Sequence, residues 1–159
     1  MSTNRFSDAT DALLAAVKAA PALAAIPVYD GAAITAAADL EFILVGHDGT
    51  TEADGTLTGS ALAGQYVHQW SDTTRGLEED GSVNCLVVSQ TGDPADMAGR
   101  RDRCQVLTAA VEDAAAASGG ALVSGLTFDG VTDGRFTYRQ SGNGVAVMHA
   151  FRLAYSTGY

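Results

Sequence analysis

From Val145 to Tyr155 large and small side chains alternate without a break: Val145, Val147, His149, Phe151, Leu153 and Tyr155 against Ala146, Met148, Ala150, Arg152 and Ala154. A period of two sustained over that length specifies a β-strand with one bulky and one small face. Small residues at every second position let a helix axis approach closely, so the small face is expected under a helix. The bulky face then needs another cover, either a second layer such as an N-terminal helix or another copy of the chain. Few elements are left to supply that layer, so the pattern points to self-association.

The segment before it is equally well marked. Ser82 to Thr91 reads as a strand with both faces apolar enough to be covered, since Val83, Cys85 and Val87 alternate with Asn84, Leu86 and Val88. A helix start follows, with Asp93 as cap, Pro94 at the first helical position and Asp96 complementing the dipole. Met97, Cys104, Leu107, Val111 and Ala114 or Ala115 recur at helical spacing, and Gly119-Gly120 ends a run of about six turns.

Nearer the N-terminus, Ser7 caps an amphipathic helix carrying Leu13, Leu14, Val17 and Ala20, which ends near Pro21. Strands are expected over Ile26 to Tyr29, Leu40 to Val45 and Ala61 to Trp70, the last with an aromatic face of Tyr66, His68 and Trp70. Two polar loops interrupt them. Thr50 to Gly59 is a hairpin loop or ordered flap, and Ser71 to Gly81 is a second long loop that carries Glu78-Glu79-Asp80. Leu122 to Phe128 and Arg135 to Gln140 supply two further strands before the last one. The expected architecture is a single α+β domain over residues 1–159, with two main helices packed on a mixed, mostly antiparallel sheet.

Composition limits the function. The chain has 159 residues, 47% of them hydrophobic and 18% charged, which describes a globular protein and not a disordered one. A formal charge of −10 is unfavourable for gripping nucleic acid, because such binding relies on cations that displace counterions from phosphate. The apolar stretch Leu13 to Val17 is preceded by Asp8 and Asp11 and broken by Lys18 and Pro21, so it fits neither a signal peptide nor a membrane span, and a cytoplasmic origin is expected. Two cysteines, Cys85 and Cys104, are too few for a disulfide framework and lack metal-site spacing. Both are expected to be buried and quiet.

Chemistry-bearing motifs are scarce. The glycines from Gly55 to Gly64 lack the lysine of a phosphate-binding loop, no Ser occupies a nucleophile elbow, and His47, His68 and His149 have no ligand-type neighbours at metal-site spacing. Asp48, Glu52 and Asp54 resemble a calcium loop only loosely, since Thr50 and Ala53 replace its Asx and glycine, and turn-forming acids account for them better. No catalytic, cofactor-binding or metal site is assigned; a small cytosolic hydrolase or binding enzyme using Cys85 or a histidine is the residual enzymatic alternative.

A resemblance emerges from the order of short motifs. Val28-Tyr29-Asp30-Gly31, Val45-Gly46-His47-Asp48-Gly49, Gln69-Trp70, Glu78 to Cys85, Gly92-Asp93 with Arg100 and Arg103, and Gln140-Ser141-Gly142-Asn143-Gly144 before a closing hydrophobic strand follow one another along the chain. That series resembles the tail-terminator (tail-completion) proteins of long-tailed phages, especially actinobacterial ones, over nearly the whole length. Alanines at Ala32-Ala33 replace prolines common in relatives. The resemblance implies a virion structural protein and no enzyme: a homohexameric ring, assembled in the host cytoplasm, that caps the tail tube at the head-tail junction and stops its elongation. It implies as partners other copies of itself, the tail tube protein and a head-completion or connector protein, with DNA passing through the lumen unbound and no membrane involved. A head-tail adaptor and a tail tube subunit are the structural alternatives.

On that reading Arg100, Arg101 and Arg103 are expected to meet Glu78, Glu79 and Asp80 of a neighbouring subunit, because one copy has few acids near those arginines. His47, Asp48, Glu52, Asp54, Asp72 and Arg75 are the candidates for loops that touch tube or head. Loop acids lining the channel would repel passing DNA.

Overall fold

The computed structural model describes residues 4–32, 40–72, 76–118 and 125–158. Helix α1 (Phe6–Ala19) is followed by a 3-10 turn at Pro21–Leu23, then β1 (Val28–Asp30), β2 (Glu41–Val45), β3 (Gly64–Ser71), β4 (Gly76–Thr91), α2 (Met97–Ser118), β5 (Leu126–Ser141) and β6 (Gly144–Gly158). The strands form one sheet in the order β1-β2-β4-β6-β5, with β3 also on β4. Only β1 and β2 run parallel. The α+β class, the two helices and the mostly antiparallel mixed sheet are as expected.

β4 organises the sheet. Its second half, from Cys85 to Ser89, pairs with β2, its first half from Gly76 to Val83 pairs with β3, and β6 runs along its other side. The acids Glu78, Glu79 and Asp80 therefore lie within a strand and not in a loop. Their polarity mimics a loop, but pairing on both sides satisfies their backbone groups as a strand requires.

Both helices lie on one side of the sheet, and it is the bulky side. Cys104, Leu107, Val111 and Ala115 of α2 and Ala9, Leu13 and Val17 of α1 pack with Val83, Cys85, Val87, Val145, Val147, Phe151, Leu153 and Tyr155 in the main core. This reverses the expected placement of the helix on the small face. A bulky strand face offers more apolar area for a helix to bury, at roughly 25 cal/mol per Å2, and that gain outweighs the closer approach that alanines would permit. The N-terminal helix supplies the second part of the cover, so the alternation does not by itself require another copy.

The opposite side holds a smaller core of Phe42, Leu44, Leu86 and Val88, joined by Tyr29, Leu57, Met148 and Ala150. The segment from Gly46 to Ala63 folds back over it as a flap. Gly49 has φ +81° and lies so close to the sheet that a Cβ there would touch Ala150 and Leu86.

Three local expectations change. Ser7 lies inside the first turn of α1, whose N-cap is Arg5 without a side-chain cap. Asp93 bonds the Ala95 N–H at 2.9 Å in a turn, and α2 starts later, with the Asp96 carbonyl accepting its first helical bond from Arg100 N–H. The strands expected over Leu122 to Phe128 and Arg135 to Gln140 are one strand, β5, whose register shifts at Phe128/Gly130 and Val131/Asp133. Glu112 of α2 accepts the Val131 N–H at 3.2 Å between these two shifts. Residues 119–124, including Gly119-Gly120 and the start of the expected strand at Leu122, lie outside the described residues.

Candidate assembly surface

The acids of β4 divide by face. Glu79 points to the helix side and is fully buried. Its two oxygens accept the Arg5 backbone N–H at 3.0 Å each, Tyr155 Oη donates to Oε1 at 2.8 Å, and His68 Nε2 lies 2.6 Å from Oε2. Burial works to raise the pKa of this carboxyl, but the Arg5 N–H, Tyr155 and His68 together outweigh it and hold Glu79 below the ordinary value. Glu79 thus serves α1 as the reaching-back carboxylate of a capping box would, supplied from the sheet. It is a structural group and presents nothing to a neighbour. Glu78 and Asp80 lie on the other face, where Asp80 is exposed and accepts from Gln69 Nε2 at 3.2 Å.

The arginines of α2 also find acids within their own chain, contrary to the premise of the expected cross-subunit pairing. Arg103 grips Glu41 with two bonds, Nε to Oε1 at 2.9 Å and a second nitrogen to Oε2 at 3.1 Å. Arg100 pairs with Asp96 at 3.1 Å and with Glu41 at 3.5 Å, and donates to Ser89 Oγ. For Glu41, burial pushes the pKa up, while Arg103, Ser89 and Arg100 outweigh it and keep the carboxyl below its ordinary value. Glu41 was not singled out from sequence; it precedes the apolar residues of β2 and carries no motif. Arg101 is exposed and makes no ion pair among the described residues.

The tube- and head-contact candidates separate in the same way. His47 is fully buried. Its Nδ1 accepts the Gly49 N–H at 2.9 Å, so Nε2 carries the hydrogen that reaches the Thr58 carbonyl at 3.0 Å. The ring latches both ends of the flap and is unavailable to a partner. Asp48 and Asp54 each bond the backbone N–H and hydroxyl of the threonine two residues on, Thr50 and Thr56, at 2.9 and 2.6 Å. Glu52 and Asp54 are exposed near the flap tip, Asp72 is exposed at the turn after β3, and Arg75 lies outside the described residues.

What sequence reasoning did not foresee is how much apolar surface two of the outer strands, β3 and β5, expose. On β3, Trp70 is 67% and Val67 59% exposed; on β5, Tyr138 is 68% exposed and Phe136 also faces solvent. Phe136 stacks on His149 with ring centroids 4.1 Å apart, and His149 is held in turn by Thr108 at 2.8 Å. A strand over Arg135 to Gln140 was expected, but that it would end a sheet depends on topology.

The described residues contain no group of three metal-ligating side chains, and no described helix is long and apolar enough to cross a membrane. Burial pushes the Cys85 thiol up to about 12 and Cys104 to about 11, so neither forms the thiolate that a nucleophile needs. Among known proteins, no family model and no curated protein matches the chain. The fold itself recurs: a chain in the solved structure titled "Virion of native gene transfer agent (GTA) particle" is 17% identical to this one and superposes with a TM-score of 0.52, over 92% of this chain and 93% of that chain.

Proposed function

We propose that this protein is a structural component of a phage-type virion, and that it acts there as a tail terminator. In this reading copies of the chain form a hexameric ring that caps the finished tail tube at the head-tail junction and offers the surface to which the filled head joins. The observation that carries the proposal is the near end-to-end likeness to a chain of a virion particle. The ordered motifs from Val28 to Gly144 support the narrower role, and two apolar strand edges suit a protein whose function is an interface. Arg101, Glu78 and Asp80 stay candidates for contacts between copies, and Glu52, Asp54 and Asp72 for contacts with tube or head. Electron microscopy of particles assembled after disruption of the gene tests the role. Overlong tails separate from DNA-filled heads are expected; tails of normal length would move the protein to another place in the virion.

A further inference from the structure

We infer that copies of this chain join edge to edge, the outer edge of β5 in one copy pairing with the outer edge of β3 in the next to continue the sheet. Among the described residues β3 pairs only with β4, and β5 only with β6. β3 reads Gly-Gln-Tyr-Val-His-Gln-Trp-Ser, with no proline, lysine or acid to discourage pairing, which is the profile of an edge that templates another strand. The stretch of β5 from Asp133 to Ser141 is exposed throughout.

Direction and facing both favour this joint. Each step from β3 through β4 and β6 to β5 is antiparallel, so β3 and β5 run oppositely within one copy. A neighbour set beside it in the same orientation brings its β3 antiparallel to β5 and keeps the helix side of both sheets on one side. Phe136 and Tyr138 share the helix side with His149, and Tyr66 and Trp70 share it with Glu79 through the β3–β4 register. Aromatic therefore meets aromatic across the joint.

Charge selects the occupant. On the flap side β5 carries Arg135 and Arg139, its Asp133 being paired with Arg152 of β6 at 3.3 Å, while β3 has Glu78 and Asp80 directly behind it on β4. Joining β5 to β5 would oppose arginines, and joining β3 to β3 would crowd acids. Of these three combinations it is β5-to-β3 that sets opposite charges together, in a chain whose net charge of −10 otherwise resists self-association. Such a joint uses a different edge on each side, so it propagates around a ring or along a filament and does not stop at a dimer. It relies on the tail-terminator reading only for closure at a fixed number of copies.

The test uses the full chain with Tyr138→Glu in one variant and Trp70→Glu in another, both exposed enough to leave folding intact as checked by circular dichroism. Sedimentation and native mass spectrometry are expected to show wild-type association, a loss of at least about tenfold in association for each variant alone, and a 1:1 heterodimer that grows no further when the two are mixed. The heterodimer arises because one intact edge survives on each partner. Arg135→Glu with Arg139→Glu is a third variant and is expected to lose association similarly. A wild-type chain that stays monomeric, variants that associate like wild type, or a mixture that yields no heterodimer would each overturn the joint. None of these outcomes touches the tail-length experiment, which decides the virion role separately.

Discussion

At Glu79 a single carboxylate ties together the start of α1, the middle of β3 and the end of β6. Removing it takes a charged acceptor away from the Arg5 N–H and the Tyr155 hydroxyl, and hydrogen bonds to charged groups contribute about 1.5–3 kcal/mol each. Glu79→Ala is therefore expected to lower unfolding stability in urea by about 3 kcal/mol, and Tyr155→Phe, which removes one donor, by about 1 kcal/mol. The sign of the pH dependence follows from the lowered pKa. The contribution is complete above the ordinary value of 4.5 and fades as the pH falls below it toward the folded value, and Glu79→Gln should flatten that part of the stability curve. Gly81 belongs to the same site. It is paired with Tyr155, whose ring occupies the space a Cβ would need, so Gly81→Ala should cost about 1–3 kcal/mol by displacing the ring. A Gly81→Ala protein as stable as wild type would mean that the Tyr155–Glu79 bond contributes nothing.

Among the elements, the flap from Gly46 to Ala63 is held by one buried ring and one half-buried leucine. His47 bridges Gly49 and Thr58, Leu57 enters the second core, and Arg135 of β5 donates to the Asp48 carbonyl at 3.3 Å. His47→Ala is expected to leave the sheet folded while hydrogen exchange at the Thr58 amide, which donates to Thr50 O, speeds up by at least about tenfold; unchanged protection would show that the other contacts, Leu57 and Arg135 among them, suffice to hold the flap. The same elements show what could be read from the chain. Helix α2 and strand β6 were legible because their periods are long and unbroken, and the flap because its polar and glycine residues cluster. β4 was misjudged because Glu79 looks solvated until its three partners, distant in sequence, are brought to it. The side of the sheet that takes the helices was misjudged because alternation identifies two faces without ranking what each will bury. Glu41 and the exposed edges of β3 and β5 were not legible at all, since edge position is a property of strand order and not of any one strand.

At the scale of the whole molecule, charge and shape pull against each other. Each copy carries a net charge of −10, so bringing copies together costs long-range repulsion, while the proposed joint draws on short-range aromatic contact and on arginines set against acids. The two respond differently to salt. The Debye length shrinks from about 20 Å to about 7 Å between about 0.02 and 0.2 M salt, which removes repulsion between distant acids but reaches partly covered pairs much less. Association of the wild-type chain is therefore expected to tighten over that range, as read by sedimentation. Arg135→Glu with Arg139→Glu adds like charge at the joint itself, so salt should recover only part of its lost affinity. Association that instead weakens steadily with salt would show that ion pairs and not aromatic contacts dominate between copies, and the Arg135→Glu with Arg139→Glu variant would then tell whether they are those of the strand edges or others at Arg101 and the acids of the flap.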